Sequence, residues 1–166
     1  MARRNFVRAA ALRAAVAMVV ARAAMAQGAQ PTERLQYVRV VGTDYQFQAP
    51  ASVQEGVSVF HLLDHGSDVH QMTVIQLGPG HSVKDFFDAT RAKGVPPAWA
   101  VTVGATPIIQ KGTEAFLTLR LPRGQYVLAC LIPASDGRSH TEKGMYQAFT
   151  VKARPVAVPA PAAKKP

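Results

Sequence analysis

Three side chains able to bind a soft metal lie close together late in the chain. Cys130, His140 and Met145 all fall within Gly124–Met145, GQYVLACLIPASDGRSHTEKGM, and Cys130 is the only cysteine of the sequence. A thiolate, an imidazole and a thioether form a donor set that suits copper. Electron-transfer copper sites place two imidazoles and a thiolate in one plane, with a long, weak thioether on the axis. This loop supplies three of those four groups. The plainer reading of a lone thiol is a buried, inert cysteine on a strand. An exposed free thiol in an oxidising compartment would itself be oxidised, so either burial or metal ligation must protect it. A single cysteine allows no disulfide within the chain.

The same loop resembles a family. Gly124–Cys130 (GQYVLAC) looks like the last core strand of cupredoxins, where a Gly-x-Tyr or Gly-x-Thr start leads by alternation to the copper cysteine. His140–Met145 (HTEKGM) is similar to the His-x-x-x-Gly-Met ending of plastocyanins and of the blue-copper domain of copper nitrite reductases. Nine residues separate Cys130 from His140, longer than plastocyanin-like loops and close to the nitrite-reductase type. The resemblance implies an all-β, antiparallel Greek-key sandwich that binds one copper ion cycling between Cu(I) and Cu(II). It implies four metal ligands: His70, Cys130, His140 and Met145. His70 enters this set because Gly66-Ser67-Asp68-Val69-His70 matches the family's Gly-x-x-Pro-His, with Val69 in place of proline, and Gln71 stands where the family often has Asn. In the family, electrons usually enter at the exposed edge of the loop histidine, here His140. Leu131, Ile132 and Pro133 would form an apolar rim around that edge, and the polar Ser135–Ser139 insertion is the alternative, a shield over it.

The sequence holds five histidines. His65 is the rival imidazole, five residues before His70 on the same loop. His61 reads as a strand residue, and His81 as an exposed residue before a helix. Met72 shares a strand face with His70, where it reads as core and as a rival thioether to Met145. Trp99 reads as a core or rim aromatic.

Most of the elements that must position these groups are strands. Alternating or β-rich runs occupy 36–41, 45–47, 57–63, 69–77, 113–121, 126–131 and 145–152, with shorter candidates at 99–103 and 106–110. Gly and Pro punctuate them at Pro50, Gly56, Gly78, Gly104 and Pro122. One helix is expected over 82–93: Ser82 and Asp85 form a capping box, and Val83, Phe86, Phe87 and Thr90 follow at helical spacing. Short strands with turn signals and one inserted helix predict an antiparallel β-sandwich from periodicity alone.

Residues 1–26 read as a signal peptide. Arg3, Arg4, Arg8, Arg13 and Arg22 punctuate an alanine-rich apolar stretch, and Ala24-Met25-Ala26 ends it as a cleavage site. Arg13 and Arg22 leave no apolar run of about 18 residues, so no stable membrane span is expected. Arg3-Arg4-Asn5-Phe6-Val7-Arg8 resembles the twin-arginine export motif, and an ordinary secretory signal is the alternative. A periplasmic or secreted protein is expected. Residues 27–35 read as a disordered lead-in, 36–152 as the cupredoxin-like domain, and 153–166 as a Pro/Ala-rich disordered tail.

Five arginines leave with the signal, which lowers the formal charge from +9 to +4. Arg154, Lys164 and Lys165 in the tail account for three more, so the domain is nearly neutral. No basic stripe with interleaved aromatics survives in it, and nucleic acid is not expected as a partner. The expected function is a monomeric type 1 (blue) copper electron carrier that meets a redox partner protein. Two readings compete: a copper storage or delivery module, and a cupredoxin-shaped binding module without metal. An enzyme is not expected. A Cys130–His140 nucleophile pair lacks an orienting acid, with Asp136 merely nearby, and the clustered His-x-His pairs of copper oxidases do not occur.

Overall fold

A computed structural model of the chain describes residues 34–93 and 95–155. All of them lie in the compact unit that begins at Arg34. The expected signal peptide and most of the lead-in and tail fall outside the described residues. Arg154, at the start of the expected tail, is fastened to the body: its guanidinium donates to the carbonyls of Glu55 and Arg34. Among the described residues, no helix is long and apolar enough to cross a membrane.

The strands are β1 (Gln36–Thr43), β2 (Gln46–Gln48), β3 (Ser52–Gln54), β4 (Gly56–Asp64), β5 (Thr73–Leu77), β6 (Ala100–Ala105), β7 (Glu114–Leu121), β8 (Gly124–Ala129) and β9 (Tyr146–Lys152). They form two sheets, ordered β2-β1-β4-β7 and β3-β9-β8-β5-β6. The sandwich and its inserted helix are as the sequence implies. Two pairings depart from the antiparallel expectation: β1 runs parallel to β4, and β3 parallel to β9. The reason is connectivity. β1 and β4 are separated by β2 and β3, so the chain returns to the starting end before β4 begins.

Alternation sorts the apolar side chains inward. Val38 and Val40 of β1, Phe60 and Leu62 of β4, and Ala115 and Leu121 of β7 face Val74 of β5, Leu128 of β8, and Phe149 and Val151 of β9 in one core. A second, smaller cluster lies outside the five-stranded sheet. There α1 (Val83–Lys93) seats Phe86 over Ile75, Leu77, Val127 and Ala129. β5 and β8 are therefore covered on both faces, which explains the unbroken apolar run Val127-Leu128-Ala129. The capping box forms as expected: Ser82 Oγ accepts the Asp85 N–H at 3.2 Å, and Asp85 Oδ2 accepts the Ser82 N–H at 2.7 Å.

The register brings every chemistry-bearing loop to one end of the sandwich. Thr73 pairs with Ala129 and with Ala105, Ala129 with Tyr146, Gly42 with Asp64, Thr43 with Gln46, and Leu63 with Glu114. The loops 43–46, 64–73, 105–114 and 129–146 thus share that end.

Candidate metal centre

His70 lies just before β5, where the backbone has left the ladder. It exchanges two backbone hydrogen bonds of 2.9 Å with Ile109, an isolated bridge that replaces the strands expected at 69–72 and 106–110. The N–H of Gln71 then points at Cys130 Sγ, 3.4 Å away, and that of Met72 donates to Thr106 Oγ1. Specific side-chain acceptors have replaced the neighbouring strand.

Cys130 follows β8. Its N–H donates to Met145 O, and its carbonyl accepts from the N–H and the hydroxyl of Thr141. His140 opens a single tight turn built as a second capping box. Ser139 Oγ accepts the Glu142 N–H, and the Glu142 carboxylate accepts the N–H and hydroxyl of Ser139. The signal for this turn is plain in Ser139-His140-Thr141-Glu142, which repeats the Ser-x-x-acid spacing of Ser82 and Asp85 at the helix start. Gly144, with φ of 109°, ends the turn, and the Met145 N–H closes it on His140 O.

Three of the expected donors come together. His140 Nδ1 lies 3.5 Å from Cys130 Sγ, and the His70 and His140 rings are 5.2 Å apart, centroid to centroid. Cys130, His70, His140 and Met145 are all fully buried. Met145 joins them through backbone bonds to Cys130 and His140, while its methyl lies against Gly42. Met72 is core, and His65 is exposed with its N–H on Gly42 O. Among the described residues, no three His, Cys, Asp or Glu side chains close on a common point as a formed metal cluster. Each histidine has one ring nitrogen engaged, His70 Nδ1 with Asp64 Oδ1 at 2.9 Å and His140 Nδ1 with the thiol. The other nitrogen of each, Nε2, is buried without a hydrogen-bond partner. His140 Nε2 lies within ion-pair distance of Asp68, 3.3 Å.

Burial pushes the Cys130 thiol above its ordinary value. Burial, and then the neighbouring charge of His70, pull His140 below the usual imidazole value, which favours the neutral ring that binds metals. A buried free thiol beside His140 Nδ1, with the buried ring of His70 5.2 Å from that of His140, is a donor set that fits a soft metal ion.

His140 does not present the exposed edge expected of it. Tyr45 covers it edge-on at 5.2 Å, and the Lys143 ammonium sits 4.7 Å above the Tyr45 ring. Lys143 is held by Asp136 at 2.9 Å, so the polar insertion forms the cover. Tyr45 adopts φ of 62°, a left-handed conformation that costs a side chain about 1–2 kcal/mol and that the surrounding loop must hold. Two exposed apolar side chains, Leu131 and Tyr146, lie to one side, where they edge a cleft of about 850 Å³ beneath α1.

Asp44 ties the His70 loop together. Oδ1 accepts the N–H of Ser67 at 2.7 Å and of Asp68 at 3.3 Å, and Oδ2 accepts the Ser67 hydroxyl. The Ser67 hydroxyl and N–H hold this carboxyl below its ordinary value. A depressed carboxylate adds stability that is present above the unfolded value and is lost as pH falls through the folded one. Asp44→Ala should cost about 1–2 kcal/mol at neutral pH, the yield of charged hydrogen bonds discounted for a half-exposed site. The deficit should shrink in urea melts taken below the unperturbed value of 3.8. A deficit equal at pH 3 and pH 7 would contradict this assignment.

No protein-family model and no curated protein matches the sequence. Solved structures do match. Dithionite-reduced auracyanin of Roseiflexus castenholzii aligns with a TM-score of 0.51 at 19% identity, over 70% of this chain and 97% of that one. Auracyanin A, a "blue" copper protein of Chloroflexus aurantiacus, gives 0.50 at 14% identity, over 72% and 100%. The copper protein rusticyanin gives 0.50 at 16% identity, over 73% and 80%. At these identities the likeness speaks for architecture. These proteins are cupredoxins, and the chain has the cupredoxin fold.

Proposed function

We propose that the protein is an exported mononuclear copper protein, a type 1 electron carrier, with His70, Cys130, His140 and Met145 as its ligands. The observation that carries this reading is the buried free thiol of Cys130, 3.5 Å from His140 Nδ1, with the buried His70 ring 5.2 Å from that of His140. The copper-protein neighbours of the same fold support it. Bound copper would supply a one-electron couple between Cu(I) and Cu(II). The chain's own part is to hold the donors. Cys130 gives up its proton on binding, because the thiolate is the ligand and burial keeps the metal-free group protonated. His70 and His140 would be held in place, the first by Asp64, the second by its capped turn. Met145 contributes a weak thioether. The Tyr45–Lys143 cover excludes water from His140. A redox partner protein would then meet the site over Leu131 and Tyr146, since Leu131 follows Cys130 directly and Thr141 bonds its carbonyl. No catalytic role is proposed.

The test is one titration of the full mature protein with copper. Equimolar copper should produce intense visible absorption, raise the melting temperature, and give a reversible one-electron redox titration. Stabilisation without a reversible couple would instead favour copper storage or delivery. An unchanged melting temperature would indicate a metal-free binding module.

A further inference from the structure

The charges of the domain are sorted to its two ends. The loops 43–46, 64–73, 105–114 and 129–146, which share the metal end, carry six acids against three bases. The opposite end is basic. Gly56 pairs with Leu121, Val57 with Arg120, Gln54 with Lys152, and Gly124 with Val151, so the segments 54–57, 119–125 and 151–155 meet there. Arg34, just before β1, joins them: its carbonyl accepts from the Arg154 guanidinium. These segments hold Arg34, Arg120, Arg123, Lys152 and Arg154, and their one acid is Glu55. Glu55 is shared. Its carboxylate lies 3.2 Å from Arg123 Nε, and its carbonyl accepts from Arg154. One carboxylate therefore faces five cations, of which all but the half-buried Arg154 are exposed. Leu35, next to Arg34, is 69% exposed. The described chain both begins and ends at this end, at Arg34 and Pro155. Beyond those points the adjoining sequence adds Glu33 on one side, and Lys164 and Lys165 on the other.

We infer that this basic end is a docking surface for an anionic lipid bilayer, on which the protein stands with its metal end turned away. The cations come from four separate chain segments gathered over one end of the sandwich. That distribution suits a plane of anionic headgroups better than a single strand or a point ligand. An exposed leucine beside them supplies an apolar group that can enter the headgroup layer. The same negative surface repels the acidic loops of the other end, so the polarity of the domain fixes the orientation. The metal-end loops are then left free to meet a partner. Export, proposed above, brings the protein to such a surface; the binding itself depends neither on export nor on copper.

The experiment mixes the metal-free chain lacking residues 1–26 with vesicles and measures co-sedimentation. Phosphatidylcholine vesicles with an equal part of phosphatidylglycerol should bind the protein, and pure phosphatidylcholine should not. Raising the salt from about 10 mM to about 1 M, which shortens the screening length from about 30 Å to about 3 Å, should release it. Each base near an anionic membrane changes binding roughly fivefold, so Arg34→Gln/Lys152→Gln should weaken it about 25-fold. Both side chains are exposed, so this variant should fold. Lys93→Gln/Lys111→Gln removes the same charge away from the basic end and should bind nearly as the wild type does. Equal weakening by the two variants overturns the inference. So does an absence of binding at low salt, which would leave the basic end to an acidic protein. Release by inorganic phosphate at constant ionic strength would mark a site for soluble anions and overturn it as well. If Lys164→Gln/Lys165→Gln abolishes binding while Arg34→Gln/Lys152→Gln leaves it unchanged, the tail binds the membrane and the inference falls.

Discussion

Copper-loaded Cys130→Ser is expected to lose all intense visible absorption and most of its copper affinity. The intense band of a type 1 site belongs to the copper–thiolate bond, and the chain has one thiol with which to make it. A hydroxyl at this position is a poor substitute, being hard, weakly acidic and buried. In the wild type, copper at about 1,000 times its dissociation constant should add about 4 kcal/mol of stability, and the variant should show little of that gain. A serine oxygen in the core also costs stability in the metal-free state, so Cys130→Ala serves as the second variant, with near-ultraviolet circular dichroism to verify packing. Intense absorption retained by either folded variant would reject the thiolate as ligand.

The groups that such variants remove were legible because they sit within a few residues of one another. Cys130, His140 and Met145 occupy one loop, and His70 follows a loop whose glycine and spacing match a known pattern. The strands were legible wherever alternation ran for six residues or more, as in β4 and β7. Alternation misled at 69–72, where His70 and Met72 keep strand-like facing while their backbone partners are Ile109 and the Thr106 hydroxyl. β3, only Ser52–Gln54, is too short for any periodicity to register. The groups around the donors were not legible, because each meets its target only through the way the loops fold. Asp44 reaches Ser67, Tyr45 reaches His140, and Asp64 meets His70 only because the loop folds back on the end of β4. The exposed His140 edge, expected by resemblance, is absent for the same reason: Tyr45 and Lys143 come from different loops and close over it. Candidate donors can thus be proposed from the sequence, while what orients and covers those side chains must be read from the fold.

Gly66→Ala is the variant in which that orientation should fail most sharply. A Cβ built on Gly66 would stand 2.3 Å from His70 Cε1, 2.6 Å from Asp44 Oδ1 and 3.1 Å from His70 Nδ1. Neither neighbour is free to yield. His70 is held by Asp64 through its ring and by Ile109 through its backbone, and Asp44 is held by Ser67 and Asp68. Overpacking of this kind costs about 1–3 kcal/mol, and two tethered neighbours put the expected loss at the upper end. For a domain of this size that corresponds to a fall in melting temperature of roughly 10 °C. Copper affinity should fall at least about tenfold as well, because the ring must turn away from the position that Asp64 gives it. Gly42→Ala is the control. Its Cβ would meet Met145 Cε at 3.5 Å and Leu62 Cδ1 at 3.6 Å, ordinary contacts, so it should melt within a few degrees of the wild type. Thermal melts of the two variants, with and without copper, separate a specific cradle for His70 from a general intolerance of alanine in the core. Equal melting temperatures for Gly66→Ala and the wild type would mean that His70 does not occupy the space described.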